Sequence, residues 1–483
     1  MSAIPSSVPV AFAAVLLGAC GGSAGTPTAS APAQGPTLTF GISASRLRAS
    51  SDSGQLTWKA TNLTTCSASG DWTGARPTTG SLWIKPTAAG GLTYSLECTG
   101  AAGSVSKTIT VDAWLPMPVA ATSYDNWKLY APGEFSFPPA TLTTHMQGAP
   151  VSYGFGDFFQ TGRRDLVTAS INYWAKGVYA DEATKMSDVE VWRDDGAGRW
   201  TRLWSGKGCL NPRKLLVADF NNDKVPDVFL ACTGWDGTIA NGAVRGETSR
   251  LLLSNGRDGF TVSEVGLPSW YMHGASAADL DHDGYADIVA ADMRPCCRMG
   301  DGFEVFALMN QHDGTFRLDT SRIPATPDGQ YIAVELFDAD ADGNVDLVIG
   351  SGWNSPGDGF KPTLLLYGDA SGRFGLNGRQ TTLPRVPYRS TVLDFTLVEN
   401  AGRRGIFIDR TAGPQTTLYY NTITLQYVDL TTLTSTVVID QLGTDWITWW
   451  IPATRNGKNG VVNYTTITGG AQKLPFSFFA SPP

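Results

Sequence analysis

Closely spaced carboxylates recur along the chain in a pattern suited to binding a hard cation. The clearest run is Asp279-Leu-Asp-His-Asp-Gly-Tyr-Ala-Asp287, with carboxylates at positions one, three, five and nine and glycine at position six. A glycine there lets the backbone curl, so that several oxygens converge on one point, as Ca²⁺ requires. An EF-hand has a bidentate glutamate at position twelve, but this run has Ala290. The run therefore predicts a calcium loop between two strands, the alternative being an acidic solvated turn.

Two more stretches share this spacing, and the three runs together supply the predicted calcium ligands. The run at Asp338 keeps glycine at position six, whereas the run at Asp219 has Lys224 there, which removes one unit of negative charge. Backbone carbonyls at position seven are expected to complete the first two sites. We expect two calcium sites and a third, weaker one, with these ligands: Asp279, Asp281, Asp283, Tyr285 and Asp287; Asp338, Asp340, Asp342, Asn344 and Asp346; Asp219, Asn221, Asp223 and Asp227.

A fourth and incomplete version of the run precedes these three. It offers Asp157, Thr161 and Asp165, but Phe159 stands at the third position and cannot bind a metal ion. We do not expect calcium there. In the other three loops, the ion is expected to hold a loop between two strands rather than to act in catalysis, because the ligand set leaves little room for a substrate.

The elements that position these loops form a repeat of about 60 residues. The leading aspartates Asp157, Asp219, Asp279 and Asp338 are separated by 62, 60 and 59 residues. Each is followed by a hairpin signature, a strand, a Gly/Asn/Asp turn and a returning aromatic residue. Two degenerate repeats are expected near Asp394 and Asp445. A period of this length with about four strands per unit predicts the radial sheets of a β-propeller.

These motifs resemble the FG-GAP/VCBS repeats of integrin α-subunit propellers and their bacterial relatives, over roughly residues 115 to 480. The resemblance implies a calcium-bearing propeller of six or seven blades that acts in binding or adhesion at the cell surface. The segment Asn126–Tyr130, left over before the first repeat, is expected to supply strands that close the ring against the C-terminal run Leu474–Phe479.

A second feature of the repeats is a tryptophan in the loop after the strand that follows each metal loop. Trp174, Trp235 and Trp353 lie 17, 16 and 15 residues beyond the leading aspartate. One strand separates the two loops, so the indoles are expected on the face opposite the metals. Exposed aromatic rings beside polar groups suit sugar or peptide recognition, which makes these residues the predicted ligand site. The alternative is that each indole packs between adjacent blades.

Residues 37–113 are different in character and predict a separate small β-sandwich. Short alternating runs separated by turns rich in Gly, Thr and Asn are typical of such a fold. The stretch resembles bacterial immunoglobulin-like modules of surface proteins, which implies a spacer. Trp58 lies before Cys66 rather than between the two cysteines, so a Cys66–Cys98 disulfide is not expected to pin the two sheets together. Residues 21–36, which are uncharged, predict a flexible tether.

Residues 1–20 and the cysteines indicate export. The run Val8–Leu17 followed by Gly-Ala-Cys20 resembles a bacterial lipoprotein signal, in which the cysteine is lipidated. Residues 1–10 carry no Lys or Arg, so a plain secretory signal or a misassigned start are the alternatives. Beyond Cys20, an even number of cysteines suits disulfides in an exported protein. The expected pairs are Cys66–Cys98 and Cys209–Cys232, while the state of the neighbours Cys296 and Cys297 stays open.

Composition narrows the class of function. Among 483 residues there are 54 Gly and 28 Pro, with 17% charged residues, which favours an all-β protein with many turns. With the strand runs, the repeats and the resemblance above, the predicted fold is a small β-sandwich followed by a six- or seven-bladed β-propeller. The formal charge of −8 and pI near 5.1 argue against a nucleic-acid surface. None of the four histidines lies in a metalloprotease motif, and neither a nucleophile elbow nor a phosphate-binding loop occurs.

The sequence therefore predicts an exported, lipid-anchored, calcium-binding propeller on a bacterial outer membrane or cell surface, or in the periplasm. It is expected to bind an extracellular glycan or protein ligand and to touch the membrane only through its anchor. The alternative is a polysaccharide-acting lyase or hydrolase built on the same propeller. Convergent carboxylates or a His–carboxylate pair in the central depression would favour the enzyme.

Overall fold

The computed structural model describes residues 35–130, 149–171, 186–195, 199–234, 246–292, 305–325, 331–351, 362–411, 422–442, 448–466 and 478–483. These residues are built mainly of strands. Contacts between residues divide the chain into two units, one ending at Ala113 and the other beginning at Trp114.

The first unit contains two antiparallel sheets that share one apolar core. A three-stranded sheet has the order β1-β3-β6, and a five-stranded sheet has the order β2-β8-β7-β4-β5. Leu56 and Trp58 from the first sheet and Tyr94 and Leu96 from the second belong to the same cluster of buried side chains. The strands are β1 (Thr37–Ile42), β2 (Arg46–Arg48), β3 (Gly54–Thr61), β4 (Thr65–Gly70), β5 (Gly74–Arg76), β6 (Thr79–Ile84), β7 (Gly90–Gly100) and β8 (Gly103–Trp114).

The disulfide of this unit lies within one sheet. Cys66 in β4 and Cys98 in β7 are directly opposite each other in the antiparallel register and are bonded. This confirms the expectation that the bond does not pin two sheets together. The centre of the core is aromatic instead, because Trp72 contacts Trp58 edge to face at 5.4 Å and Phe40 by stacking at 5.5 Å.

The described residues of the second unit form a succession of six antiparallel sheets, each made of consecutive strands, which is compatible with a propeller. We number them sheets 1 to 6. Sheet 1 has β9 (Ala149–Gly156), β10 (Asp165–Ile171), β11 (Asp188–Asp194) and β12 (Trp200–Lys207); sheet 2 has β13 (Pro212–Ala218), β14 (Asp227–Cys232), β15 (Arg250–Ser254) and β16 (Phe260–Glu264); sheet 3 has β17 (Met272–Ala278), β18 (Asp287–Asp292), β19 (Val305–Asn310) and β20 (Phe316–Asp319).

The remaining sheets complete the series. In succession, the first strands of sheets 1 to 6 contact one another, β9 with β13, β13 with β17, and so on to β29. Sheet 4 has β21 (Tyr331–Phe337), β22 (Asp346–Ser351), β23 (Leu364–Leu366) and β24 (Gln380–Thr382); sheet 5 has β25 (Thr391–Asn400), β26 (Arg403–Thr411), β27 (Thr422–Asp429) and β28 (Ser435–Leu442); sheet 6 has β29 (Thr448–Arg455), β30 (Lys458–Thr466) and β31 (Phe479–Ala480).

A short helix, α1 (Ser123–Tyr130), occupies the centre of this arrangement. It contacts the first strands of sheets 1, 2, 3, 4 and 6. The Ser123 hydroxyl accepts a hydrogen bond from the Ala277 amide at 2.9 Å, and the Asn126 side chain donates to the Phe155 carbonyl at 2.6 Å. The Tyr124 hydroxyl donates to the Leu397 carbonyl.

The position of α1 corrects the expectation that Asn126–Tyr130 supplies strands to close the ring. Thr122 immediately precedes the helix, and its hydroxyl accepts a hydrogen bond from the Asp125 amide at 2.8 Å. Thr and Asp three residues apart form a capping arrangement that stabilises a helix start. In the described part of the C-terminus, Phe479 pairs with β30 and not with residues 126–130.

Sheets 5 and 6 begin with tight hairpins rather than acidic loops. The two-residue turns Ala401-Gly402 and Asn456-Gly457 join their first and second strands, with φ of 50° and 77°, and of 51° and 72°. Such turns need positive φ, which suits Asn and Gly. Sheet 5 lies where the degenerate repeat near Asp394 was expected, and Asp394 itself lies inside its first strand, β25, rather than in a loop. Asp445 lies outside the described residues.

Candidate functional site

The three acidic loops occupy equivalent places, between the first and second strands of sheets 2, 3 and 4. In two of them the carboxylates converge. One ligand atom from each of Asp279, Asp281 and Asp287 lies within 4.8 Å of the other two, and the same holds for Asp338, Asp340 and Asp346. Positions one, three and nine of the predicted calcium motif are therefore brought together in sheets 3 and 4.

The aspartate at position nine also ties the loop to the third strand of its sheet. Asp287 is buried and accepts hydrogen bonds from the amides of Leu280 at 3.0 Å and Asn310 at 2.8 Å. Asp227 and Asp346 accept the equivalent pairs of amide bonds. Burial, together with the neighbouring carboxylates, outweighs these bonds and raises the pKa of Asp227 to about 8, of Asp287 to about 7 and of Asp346 to about 6.

Position five does not join the convergent groups. Asp283 accepts a hydrogen bond from the Tyr285 amide at 2.9 Å and contacts the His312 ring nitrogen at 2.5 Å. The His312 ring stacks on Tyr285 with ring centres 4.1 Å apart. In sheet 4, Asp342 accepts from the Asn344 amide at 2.8 Å and lies 3.8 Å from the Arg379 guanidinium.

The loop at Asp219 is built differently. Among the described residues, its acidic side chains form no three-carboxylate group like the other two. The Lys224 ammonium lies 3.6 Å from Asp219, and the Asn221 side chain donates to Asp223 at 3.0 Å. Lys224 also has a φ of 68°, close to the left-handed conformation that Gly284 and Gly343 supply in the other loops with φ of 93° and 89°. The Lys224 ammonium thus places a positive charge beside Asp219, where the other loops have none from position six. Its backbone is strained, because a residue with a Cβ disfavours positive φ.

Lys224→Gly is expected to stabilise the protein by about 1 kcal/mol, because glycine adopts the left-handed conformation without a Cβ clash. It should also strengthen calcium binding at this loop, since a competing positive charge is removed. Thermal denaturation in chelator measures the first effect and calorimetric titration with CaCl₂ the second. Ala341→Gly, at a φ of 68° in the sheet 4 loop, is the matched control. It should add stability while leaving calcium affinity unchanged; a Lys224→Gly protein with unchanged affinity would contradict the prediction.

In the loop of sheet 1, the two carboxylates are paired with backbone amides and with an arginine of the chain itself. Asp157 accepts hydrogen bonds from the amides of Thr161 at 2.7 Å, Gly162 at 2.7 Å and Met117 at 3.0 Å. Asp165, at position nine, forms a two-pronged ion pair with Arg193 at 2.6 and 2.8 Å. Burial raises the pKa of Asp165 to about 6 against the opposing effect of Arg193. An arginine here does what a bound cation would do.

Arg193→Met is expected to destabilise the protein by about 3–5 kcal/mol at pH 8, because it leaves a buried carboxylate without its partner. The Asp165 side chain is fully buried. Without arginine its pKa rises further, so at pH 5 the protonated acid predominates and the loss shrinks. Urea denaturation at both pH values measures this. Arg199→Met, which breaks an ion pair whose arginine is 85% exposed, should change stability little. Equal losses at pH 5 and pH 8 would refute the buried-charge explanation.

A second group of charged side chains lies at the centre of the six sheets. The Lys214 ammonium, from β13, contacts Glu335 of β21 at 3.1 Å and Asp394 of β25 at 2.8 Å. The Ser276 hydroxyl of β17 donates to Glu335 at 2.5 Å. Burial alone would lower the pKa of Lys214, but the two carboxylates outweigh it and raise this pKa. For Glu335 the signs are reversed: burial raises the pKa of this carboxyl, and the nearby Lys214 ammonium opposes the rise.

A small cavity opens beside these charges and α1. Ser123, Ser152, Thr396 and Trp450 contribute to its lining together with the charged trio. The neighbouring Arg213 contacts the buried His273 ring at 3.0 Å. We did not expect this cluster from the sequence. A signal was present, since Glu335 interrupts an otherwise apolar first strand and Lys214 follows Arg213 near the start of another.

The other predicted site residues divide into two groups. The disulfide Cys209–Cys232 is present, as expected. Trp174, Trp235 and Trp353, which form the predicted ligand site, lie outside the described residues. The same applies to the lipidation candidate Cys20 and to Cys296 and Cys297. In the described part of the chain, no helix combines the length and apolar character needed to cross a membrane.

Comparisons with known proteins find distant structural likeness and no sequence relative. No family model matches the chain, and no curated protein matches it. A putative phosphatase from Bacteroides thetaiotaomicron is 11% identical with a TM-score of 0.34, covering 84% of this chain and 85% of its own. A DUF4623 family protein from Bacteroides eggerthii is 10% identical with a TM-score of 0.37, covering 86% and 87%. An ancestral GH74 enzyme is 12% identical with a TM-score of 0.39, covering 88% and 64%. These scores transfer no activity to the present chain.

Proposed function

We propose that this chain is an exported, calcium-stabilised β-propeller of the FG-GAP/VCBS type that binds a glycan at the cell surface. One observation carries the calcium part of the proposal: three carboxylates converge at the same place in two successive sheets. Bringing such charges together without a cation costs free energy through mutual repulsion. In sheet 1 the equivalent carboxylates have an arginine and backbone amides as partners instead.

The ions are structural in this proposal. The loops that would hold them join the first and second strands of their sheets. Asp287 and Asp346 already accept hydrogen bonds from the amides of Asn310, at the end of the third strand of sheet 3, and Gly368, just beyond the third strand of sheet 4. An ion held by positions one, three and nine would tie the loop together and offset the buried negative charge. Loop order and sheet stability then depend on calcium, while ligand binding uses another surface.

Calorimetric titration of the chelator-treated full chain with CaCl₂ tests the metal sites. We expect two sites in the wild type, with weaker binding at a third. Asp279→Asn together with Asp338→Asn should abolish the two stronger sites, whereas Asp258→Asn, in an exposed hairpin turn, should leave them intact. No heat of binding at millimolar calcium would overturn the calcium proposal.

A glycan and extracellular-matrix protein array, probed with and without chelator, tests the binding function. We expect the calcium-loaded chain to bind particular glycans, and this binding to weaken after chelation to the extent that the sheets carrying the site lose stability. Binding to matrix proteins alone would replace the glycan with a protein ligand. Binding to neither class would overturn the assignment as a binding module.

An enzyme acting on polysaccharides is the second candidate, favoured by the central charged cluster. Glu335 and Asp394 both contact the Lys214 ammonium, so their nearest carboxylate oxygens lie no more than about 6 Å apart. Carboxyl pairs of retaining glycosidases are separated by about 5–5.5 Å. Release of reducing ends or unsaturated products from a polysaccharide panel, lost in Glu335→Gln, would establish this alternative. Absence of product across the panel would leave the binding module as the better assignment.

We also propose that Cys20 carries the lipid anchor. Incorporation of labelled palmitate during expression in a bacterial host is the measurement. The wild-type chain should be labelled and fractionate with membranes, and Cys20→Ser should lose both properties. Unlabelled, secreted wild-type protein would identify a plain secretory signal instead.

A further inference from the structure

The cavity beside α1 combines charges of both signs with an aromatic wall, and the calcium loops do not account for it. Its lining includes Lys214 and Asp394, whose side chains keep 22% and 19% of their surface accessible. Trp450 forms part of the wall and is 5% exposed. The charges come from three different sheets, so the sheet arrangement itself brings them together.

A purely structural role explains this cluster poorly. Burying ions costs several kcal/mol each, and well-packed apolar side chains of similar volume usually stabilise a protein at least as well. The helix α1 already joins the first strands of sheets 1 and 3 through hydrogen bonds of Asn126 and Ser123. Charged groups that converge in a cavity are more typical of a recognition site than of a core.

The mixture of charges selects the class of ligand. An anion entering the cavity would meet Glu335 and Asp394, and a cation would meet Lys214 and the neighbouring Arg213. A neutral ligand with adjacent hydroxyl groups avoids both conflicts, because each hydroxyl donates to a carboxylate and accepts from the ammonium. Hydrogen bonds to charged partners are the stronger ones. The apolar face of a sugar ring would pack against Trp450.

We propose that the cavity receives one diol edge of a neutral sugar, held by Lys214, Glu335 and Asp394 beside Trp450. The cavity volume of about 50 Å³ suits an edge of the ring rather than a whole pyranose. This inference rests on the proposed glycan-binding function and assigns its ligand class and its place in the fold. It places recognition in the centre of the six sheets, apart from the calcium loops.

Saturation-transfer NMR on the calcium-loaded full chain tests the proposal. The probes are the methyl glycosides of glucose, galactose, mannose and fucose, each paired with a deoxy analogue that lacks one hydroxyl of the diol. We expect transfer to at least one pyranoside and loss of transfer to its deoxy analogue. Thr396→Ile, which extends a cavity-lining side chain without altering charge, should weaken binding about tenfold or more, equivalent to about 1.4 kcal/mol.

Thr396→Val is the matched control, because it keeps the size of threonine and fills no additional space. It should lose much less affinity than Thr396→Ile. Thermal denaturation of both variants shows that they remain folded. Sugar binding that is equally strong in wild type and Thr396→Ile would overturn the cavity as the site while leaving the glycan-binding function intact. No transfer to any probe, with glycans still bound on the array, would also overturn the cavity proposal. Failure of both assays would overturn the function as well.

Discussion

Chelation of calcium is expected to lower the melting temperature of the second unit by roughly 10 °C. A ligand present at 100 times its dissociation constant stabilises the folded state by about 2.7 kcal/mol per site, so two sites give about 5 kcal/mol. For large domains each kcal/mol shifts the melting temperature by about 2 °C or more. Differential scanning calorimetry in EDTA and in millimolar CaCl₂ measures the difference.

The calcium effect should grow with pH. In the calcium-free protein the pKa of Asp287 is raised to about 7 and that of Asp346 to about 6, because both are buried. The native state therefore holds protons that the unfolded chain has released, and the apo protein loses stability as pH rises from about 4 through these values. Bound calcium stabilises the ionised carboxylates of Asp287 and Asp346 in the native state. We expect the gap between the two calorimetric scans to be larger at pH 8 than at pH 5.

The double variant Asp279→Asn with Asp338→Asn provides the control for this experiment. It should melt at nearly the same temperature with and without calcium. The first unit contains none of the predicted ligands, and its separate transition should not move. A wild-type protein whose melting temperature is independent of calcium at pH 8 would contradict the prediction.

The spacing of the acidic loops located the first turns of sheets 2, 3 and 4. It did not locate the first turn of sheet 5, where the chain has no such loop. The spacing of Asp219, Asp279 and Asp338 located the first turns of three sheets, because a carboxylate-rich loop follows the first strand in each. Sheet 5 instead has a turn at Ala401-Gly402, eight residues beyond Leu393. The degenerate repeat expected near Asp394 coincides with this sheet, but Asp394 lies inside its first strand and not in its turn. A search for two-residue Gly turns would have placed this hairpin correctly.

The central cluster and α1 were beyond the reach of the repeat pattern. Lys214, Glu335 and Asp394 are 121 and 59 residues apart in the chain and stand at different positions within their strands. Their meeting depends on the first strands of the sheets lying side by side, which is a tertiary property. The helix was signalled by Thr122 and Asp125, but nothing local indicates that it lies among the strands. Periodicity identifies the sheets; it does not identify what fills their centre.

Replacing Lys214 with methionine is expected to cost about 3–5 kcal/mol at pH 8, because two carboxylates lose the cation that both contact. Glu335 is 5% exposed and Asp394 19% exposed, so water compensates the loss poorly. The pKa of Glu335, already raised by burial, should rise further without the ammonium. Since the penalty falls on the charged acids, the variant should recover stability as pH falls toward 5. Urea denaturation of the calcium-loaded protein at both pH values measures it.

A triple variant separates the charge effect from simple loss of packing. Lys214→Met combined with Glu335→Gln and Asp394→Asn removes all three charges while keeping similar side-chain volumes, and it should recover most of the lost stability with little dependence on pH. Lys207→Met breaks an ion pair whose lysine is 66% exposed and should have almost no effect. If the triple variant were as unstable as Lys214→Met alone, the lysine would act through packing of its aliphatic chain. If the triple variant is stable yet binds no sugar, the three charges serve recognition at the expense of the stability that an uncharged centre would give.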